Sequence, residues 1–85
     1  MKLGIIGSGG HSNAVSDIAL NLGYNDLYYF DNFSKLKNKN IKGKFIGTLS
    51  KVSQFTNMKF VIAVGDNDLR ENLYNKLKKK FNFLN

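Results

Sequence analysis

Three short stretches hold the residues whose types and spacing suit chemistry: Gly7-Ser8-Gly9-Gly10-His11, Asp31-Asn32 and Gly65-Asp66-Asn67-Asp68. In the first, Gly7 tolerates the backbone angles of a sharp turn, and Gly9 and Gly10 put no side chain in the way of an approaching group. A helix starting there leaves the N–H groups of its first turn without internal partners. Together with the helix dipole, those groups favour an anion such as a phosphate. The alternative is a tight turn with no ligand. His11 ends the stretch and is the sole histidine. A neutral imidazole donates one hydrogen bond and accepts another, which suits ligand contact. A structural role at the helix start and direct catalysis are the other readings. One histidine without cysteine builds no zinc site, and no Ser/Asp arrangement completes a triad.

Asp31 follows Gly7 by 24 residues. Its carboxylate can accept hydrogen bonds from ribose hydroxyls or from a nucleobase N–H. It can equally cap local backbone. Arg70, the only arginine, is within reach of a phosphate, but a surface pair with Asp66 or Glu71 is the expectation for it.

These residues act together only if the fold gathers them at one edge. Leu3-Gly4-Ile5-Ile6 reads as a short buried strand ended by the glycine turn. A helix from Gly10 to Leu22 follows, with Val15, Ile18, Ala19 and Leu22 spaced as one apolar face and Gly23 as its stop. Leu27-Tyr28-Tyr29-Phe30 reads as a second strand. Residues 33–44 form a polar, lysine-rich excursion. Phe45-Ile46 makes a very short third strand ending at Gly47, and Leu49, Val52 and Phe55 mark a short helix. Phe60-Val61-Ile62-Ala63-Val64 is apolar on both faces, as a strand of a covered parallel sheet is. A helix from about Asp68 to Lys80 has Leu69, Leu73 and Leu77 four residues apart with Tyr74 beside them, and Lys78, Lys79 and Lys80 in its last turn, where the dipole favours cations. Phe81 to Leu84 can supply a final strand. The alternation predicts one domain, residues 1–85, of the α/β class. Its architecture is a Rossmann-like open parallel sheet of four or five strands with helices on both faces. In such sheets ligands bind beyond the carboxyl ends of the strands, where the strand order reverses. The three stretches above are the loops at those ends.

Composition limits the partners. The chain has 85 residues and no cysteine, so no disulfide framework and no thiolate chemistry operate. That suits a reducing, cytoplasmic setting. No run approaches the length of a membrane span, and no membrane insertion is expected. The net charge is +7, which ordinarily suggests nucleic acid. Yet twelve of the thirteen basic residues are lysine, whereas base and bidentate phosphate contacts favour arginine. With twelve asparagines beside them, the lysines read as coding bias and solvated surface, and no nucleic-acid partner is expected.

The strings GIIGSGGHSNAVSDIA, YYFDN and VIAVGDNDLRENL, in that order, resemble the N-terminal domain of the PglD/NeuD-type sugar acetyltransferases over essentially the whole chain. These are bacterial enzymes that acetylate an amino group, or a sialic acid hydroxyl, on activated sugars. The resemblance implies a domain that binds a UDP-sugar as a small-molecule ligand. Gly9, Gly10 and His11 would face the diphosphate, Asp31 and Asn32 would read the uracil or ribose, and Gly65 would close the opposite side. Asn32 stands where the second acid of the family's pair often lies. Acetyl-CoA, the catalytic histidine and the homotrimer contacts would belong to a left-handed β-helix of hexapeptide repeats, of which residues 1–85 show none. The chain alone is therefore expected to be inactive as a transferase, with no cofactor of its own. The alternatives are a NAD-type dinucleotide-binding domain of an oxidoreductase and a stand-alone nucleotide-binding module. Ser12, where the third glycine of G-x-G-x-x-G would fall, counts against the former.

Overall fold

The computed structural model describes residues 1–32, 41–55, 57–78 and 82–83. Five strands are described: β1 (Lys2–Ile6), β2 (Asp26–Asp31), β3 (Lys44–Thr48), β4 (Lys59–Ile62) and β5 (Asn82–Phe83). Two α-helices, α1 (Gly10–Asn21) and α2 (Asn67–Leu77), and a 3-10 helix (Leu49–Gln54) connect them. All strand pairings are parallel, and the order across the sheet is β3-β2-β1-β4-β5.

Right-handed crossovers explain the layering. The chain winds outward from β1 through β2 to β3, then returns past β1 to β4 and β5, so the helices of the two halves cover opposite faces. One face buries Ile6, Phe30, Phe60 and Ile62 with Val52 and Met58, and is covered by the 3-10 helix and by Leu73 and Leu77 of α2. Phe30 meets the edge of Phe55 at 5.5 Å between ring centroids. The other face buries Leu3, Ile5, Leu27, Tyr29 and Ala63 beneath Ala19 of α1. Gly4 has a packing role in β1: a Cβ there would lie 2.3 Å from the Phe60 ring of the neighbouring strand. The architecture is the α/β, Rossmann-like sheet that the alternation predicts.

Several details depart from the pattern. α1 seats through Val15 and Ala19 of the predicted apolar face but not through Ile18 and Leu22. Ile18 and Leu22 are 61% and 65% exposed, while Ser12, Ser16 and Ala19 are buried. Small side chains let the helix lie close to the sheet, and the serine hydroxyls are satisfied there, so the buried stripe includes polar residues that hydropathy overlooks. β4 ends at Ile62 and β3 extends to Thr48. A register shift opposite Tyr29/Phe30 accommodates β3. α2 ends at Leu77, so Lys76 is its last-turn cation and Lys78 its cap. Lys79 and Lys80 lie outside the described residues, as does most of the lysine-rich excursion. Of that run, Lys42 and Lys44 are described and exposed. Lys42 pairs with Asp17 of α1.

Candidate functional site

The strand order reverses at β1, which has β2 on one side and β4 on the other. At its carboxyl end a cleft of about 310 Å³ opens between the first turn of α1 and the β4–α2 loop.

The first turn is built in layers. Gly7 has φ +117°, and a Cβ there would stand 2.6 Å from the Ala63 carbonyl oxygen. Its N–H donates to the Phe30 carbonyl, 2.7 Å, and the Ala63 N–H donates to the Ile6 carbonyl, 2.7 Å. Gly7 thus draws the ends of β1, β2 and β4 together. It is a structural glycine, with positive φ and backbone contact both demanding the absence of a side chain.

Ser8 is 2% exposed. Its N–H and its hydroxyl each donate to Asp31 Oδ2 at 2.7 Å. The Asn32 N–H donates to Asp31 Oδ1 at 2.7 Å. Three of the roughly four acceptor positions of the carboxylate are thereby occupied. Asp31 stands on the cleft wall and fastens the glycine turn to the end of β2. Of the two roles open to it from sequence, backbone capping is present in the structure.

Gly9 and Gly10 are exposed, and a Cβ at either would meet nothing within 4 Å. Gly9 is the N-cap of α1 and provides no side-chain cap. Among the described residues no acceptor is found for the N–H of Gly10 or His11. At α2 the situation is reversed, because Asp66 caps the helix by accepting from the Leu69 N–H at 3.0 Å. Of the two helix starts at the cleft, one is closed by its own aspartate and the other is open.

Five of the six residues singled out from sequence line this cleft: Gly9, Gly10, His11, Asp31 and Gly65. His11 is exposed at the rim, and a Cβ on Gly65 would meet open space. Asn32 is exposed beside Asp31 and is not on the wall. Val64 and Leu69 add an apolar side that the sequence did not reveal. Leu69 carries the same four-residue spacing as Leu73 and Leu77, so nothing marked it as facing a ligand. No lysine or arginine lines the cleft among the described residues. Arg70 is not paired with Asp66 or Glu71 as expected. Its Nη2 donates to Asn67 Oδ1 at 2.8 Å, and it faces a separate cavity of about 460 Å³ with Ile62 and Tyr74. One helical turn separates Asn67 from Arg70, and the helix carries the guanidinium to the side away from the glycine turn.

The family model of the PglD N-terminal domain matches residues 2–77. The chain belongs to that family. All three cleft loops fall inside the matched residues, so the PglD N-terminal pattern and the open helix start coincide. The domain is of the kind found at the N-terminus of sugar acetyltransferases. Among the described residues of this PglD N-terminal domain, no helix is long and apolar enough to cross a membrane. No group of three or more His, Asp or Glu side chains there could hold a metal ion.

Proposed function

We propose that this domain binds a UDP-sugar, with the diphosphate against the first turn of α1 and the nucleoside between Asp31 and the Gly65 loop. The observation that carries this reading is the open start of α1. Among the described residues the Gly10 and His11 N–H groups have no acceptor, and no side chain at Gly9 or Gly10 obstructs the approach, in a cleft where the other helix start is capped. Oriented N–H groups and the helix dipole supply the attraction for the anion. His11 at the rim adds a donor to a phosphate oxygen or to the sugar. The remaining acceptor position of Asp31 suits a ribose hydroxyl or the uracil N–H, and Val64 and Leu69 provide an apolar surface. In this reading the domain holds the activated sugar, and acetyl transfer takes place on hexapeptide repeats outside these residues.

Calorimetric titration with UDP, a UDP-N-acetyl amino sugar and NAD tests the assignment. A site that pairs with the polar edge of one base leaves groups unpaired when the base is wrong. UDP and the UDP-sugar should bind and NAD should not. Tighter binding of NAD would replace the reading with a dinucleotide site. Binding of none by the folded chain would refute it.

A further inference from the structure

The seating of α1 leaves one apolar surface open to solvent. Ile18 and Leu22, one helical turn apart, stand out as a ridge, 61% and 65% exposed. Beside them a groove of about 230 Å³ runs between α1 and β4, with Leu3, Val15, Tyr24 and Val61 in its walls. No charged residue lines it among the described residues. α2 packs on the opposite face of the sheet and does not cover it. A single exposed leucine is ordinary, whereas an apolar ridge beside an apolar groove marks an interaction surface.

Charge selects what can cover it. The chain carries +7, so two copies repel wherever their lysines meet. α1 lies wholly within residues 3–34, which contain no lysine or arginine. Apart from His11, Asp17 is its only ionisable residue, and Asp17 is paired with Lys42. The groove meets charge only at its ends. Lys59 is exposed, two residues before Val61 and on the same side of β4, at the amino end of the strand. Asp66 is exposed beyond the carboxyl end, where it shares a cleft with His11 of α1. Opposite charges thus stand at opposite ends of one apolar surface.

A ridge beside a groove is self-complementary about a two-fold axis, since the ridge of each copy enters the groove of the other. With the two α1 helices antiparallel, each Lys59 faces the partner's Asp66. A parallel arrangement would set like charges together at both ends. We propose that this face binds a second copy of the domain through an antiparallel, two-fold pairing of α1 helices, with Ile18 and Leu22 of each copy in the groove of the other. The area makes the dimer weak. α1 has 12 residues, and its footprint is about 18 Å by 10–12 Å. Even with the groove included, the patch falls well short of the roughly 800 Å² per partner of a standard interface.

Sedimentation velocity on residues 1–85 without ligand, from about 10 μM to about 1 mM, tests this. The chain should be monomeric at the low end and increasingly dimeric at the high end, with a dissociation constant of about 0.1–1 mM. Leu22→Lys sets a cation in the seam and should leave the chain monomeric throughout. Leu20→Lys is the control: it makes the same charge change at an exposed position of α1 that does not line the groove, and the dimer should persist. Lys59→Glu relieves general repulsion but opposes the partner's Asp66, so it should weaken the dimer. Circular dichroism at the low concentration establishes that each variant is folded. Should Leu22→Lys not fold, Ile18→Asn is read by the same measurement. A wild-type chain still monomeric at about 1 mM overturns the proposal and leaves the groove to another protein or to a segment outside residues 1–85. Equal loss of the dimer in Leu20→Lys and Leu22→Lys, tighter association of Lys59→Glu, or growth beyond the dimer also overturns it.

Discussion

Gly7 and Gly10 stand three residues apart in one loop, and their surroundings are opposite, one packed against backbone and the other open. Replacing Gly7 by alanine forces a side chain onto φ +117° and sets its Cβ 2.6 Å from the Ala63 carbonyl oxygen. An L-residue in such a backbone region costs about 1–2 kcal/mol, and forced overpacking about 1–3 kcal/mol. The sum is about 2–5 kcal/mol, against a total of about 4–13 kcal/mol for a domain of this size at the usual stability per residue. At about 4–8 °C per kcal/mol for a domain of this length, Gly7→Ala should lower the melting temperature by at least about 8 °C. Gly10→Ala meets no atom within 4 Å and lies in the first helical turn, where alanine is favoured over glycine by up to about 1 kcal/mol. Its melting temperature should stay level or rise. Gly10→Val, with a larger group in the space in front of the helix start, should remain folded and lose UDP binding. Thermal denaturation followed by circular dichroism and calorimetric titration read the two effects separately. A Gly7→Ala chain as stable as wild type would refute the packing argument. A folded Gly10→Val chain with wild-type UDP affinity would refute the placement of the phosphates.

Asp31→Ala removes the acceptor of both Ser8 donors, and each orphaned buried donor costs about 1–3 kcal/mol. Both the melting temperature and UDP affinity should fall, the latter by about 10- to 150-fold if a charge-assisted bond to the ligand is also lost; unchanged stability would show that the Ser8 contacts contribute nothing. Residues 1–85 alone should neither bind acetyl-CoA nor transfer acetyl groups in a thiol-release assay, and turnover requiring both substrates would contradict this. Any binding to DNA should be sequence-independent and steeply salt-sensitive, and selective nanomolar binding at about 0.15 M salt would contradict the solvated-lysine reading.

The parts of the site legible in the sequence are those where backbone chemistry leaves a residue signature. A glycine run between an apolar strand and an amphipathic stretch fixes a turn whatever surrounds it, and the alternation of elements fixes which ends of the strands meet. The positions of Gly9, Gly10, His11, Asp31 and Gly65 follow from those two facts. What escaped is what depends on partners distant in sequence. The spacing of Val15, Ile18, Ala19 and Leu22 satisfies a hydropathy template, but α1 turns its serines inward because Tyr29 waits for them on β2. Nothing local to Ser16 announces a tyrosine thirteen residues on. Asp31 shows the same effect, since its engagement by Ser8 is a contact across 23 residues. Arg70 was drawn toward Asp66 and Glu71 by charge alone, and helical geometry gave it Asn67 instead.

Charge is the remaining point at which sequence and site must be reconciled. The chain carries +7, yet residues 3–34 contain no lysine or arginine at all. The α1 turn and the end of β2 both lie in that cation-free segment, and the β4–α2 loop adds Asp66 to the cleft instead of a cation. Asp31 accepts from three donors and Asp66 from the Leu69 N–H, so each directs acceptor positions to the protein's own N–H and O–H groups. At the mouth of the cleft the N–H groups of Gly10 and His11 have no acceptor among the described residues. Recognition by main-chain N–H groups is short-ranged and directional, and depends on their aim more than on net charge. A site of this kind has no cation whose long reach would compensate for a misplaced donor.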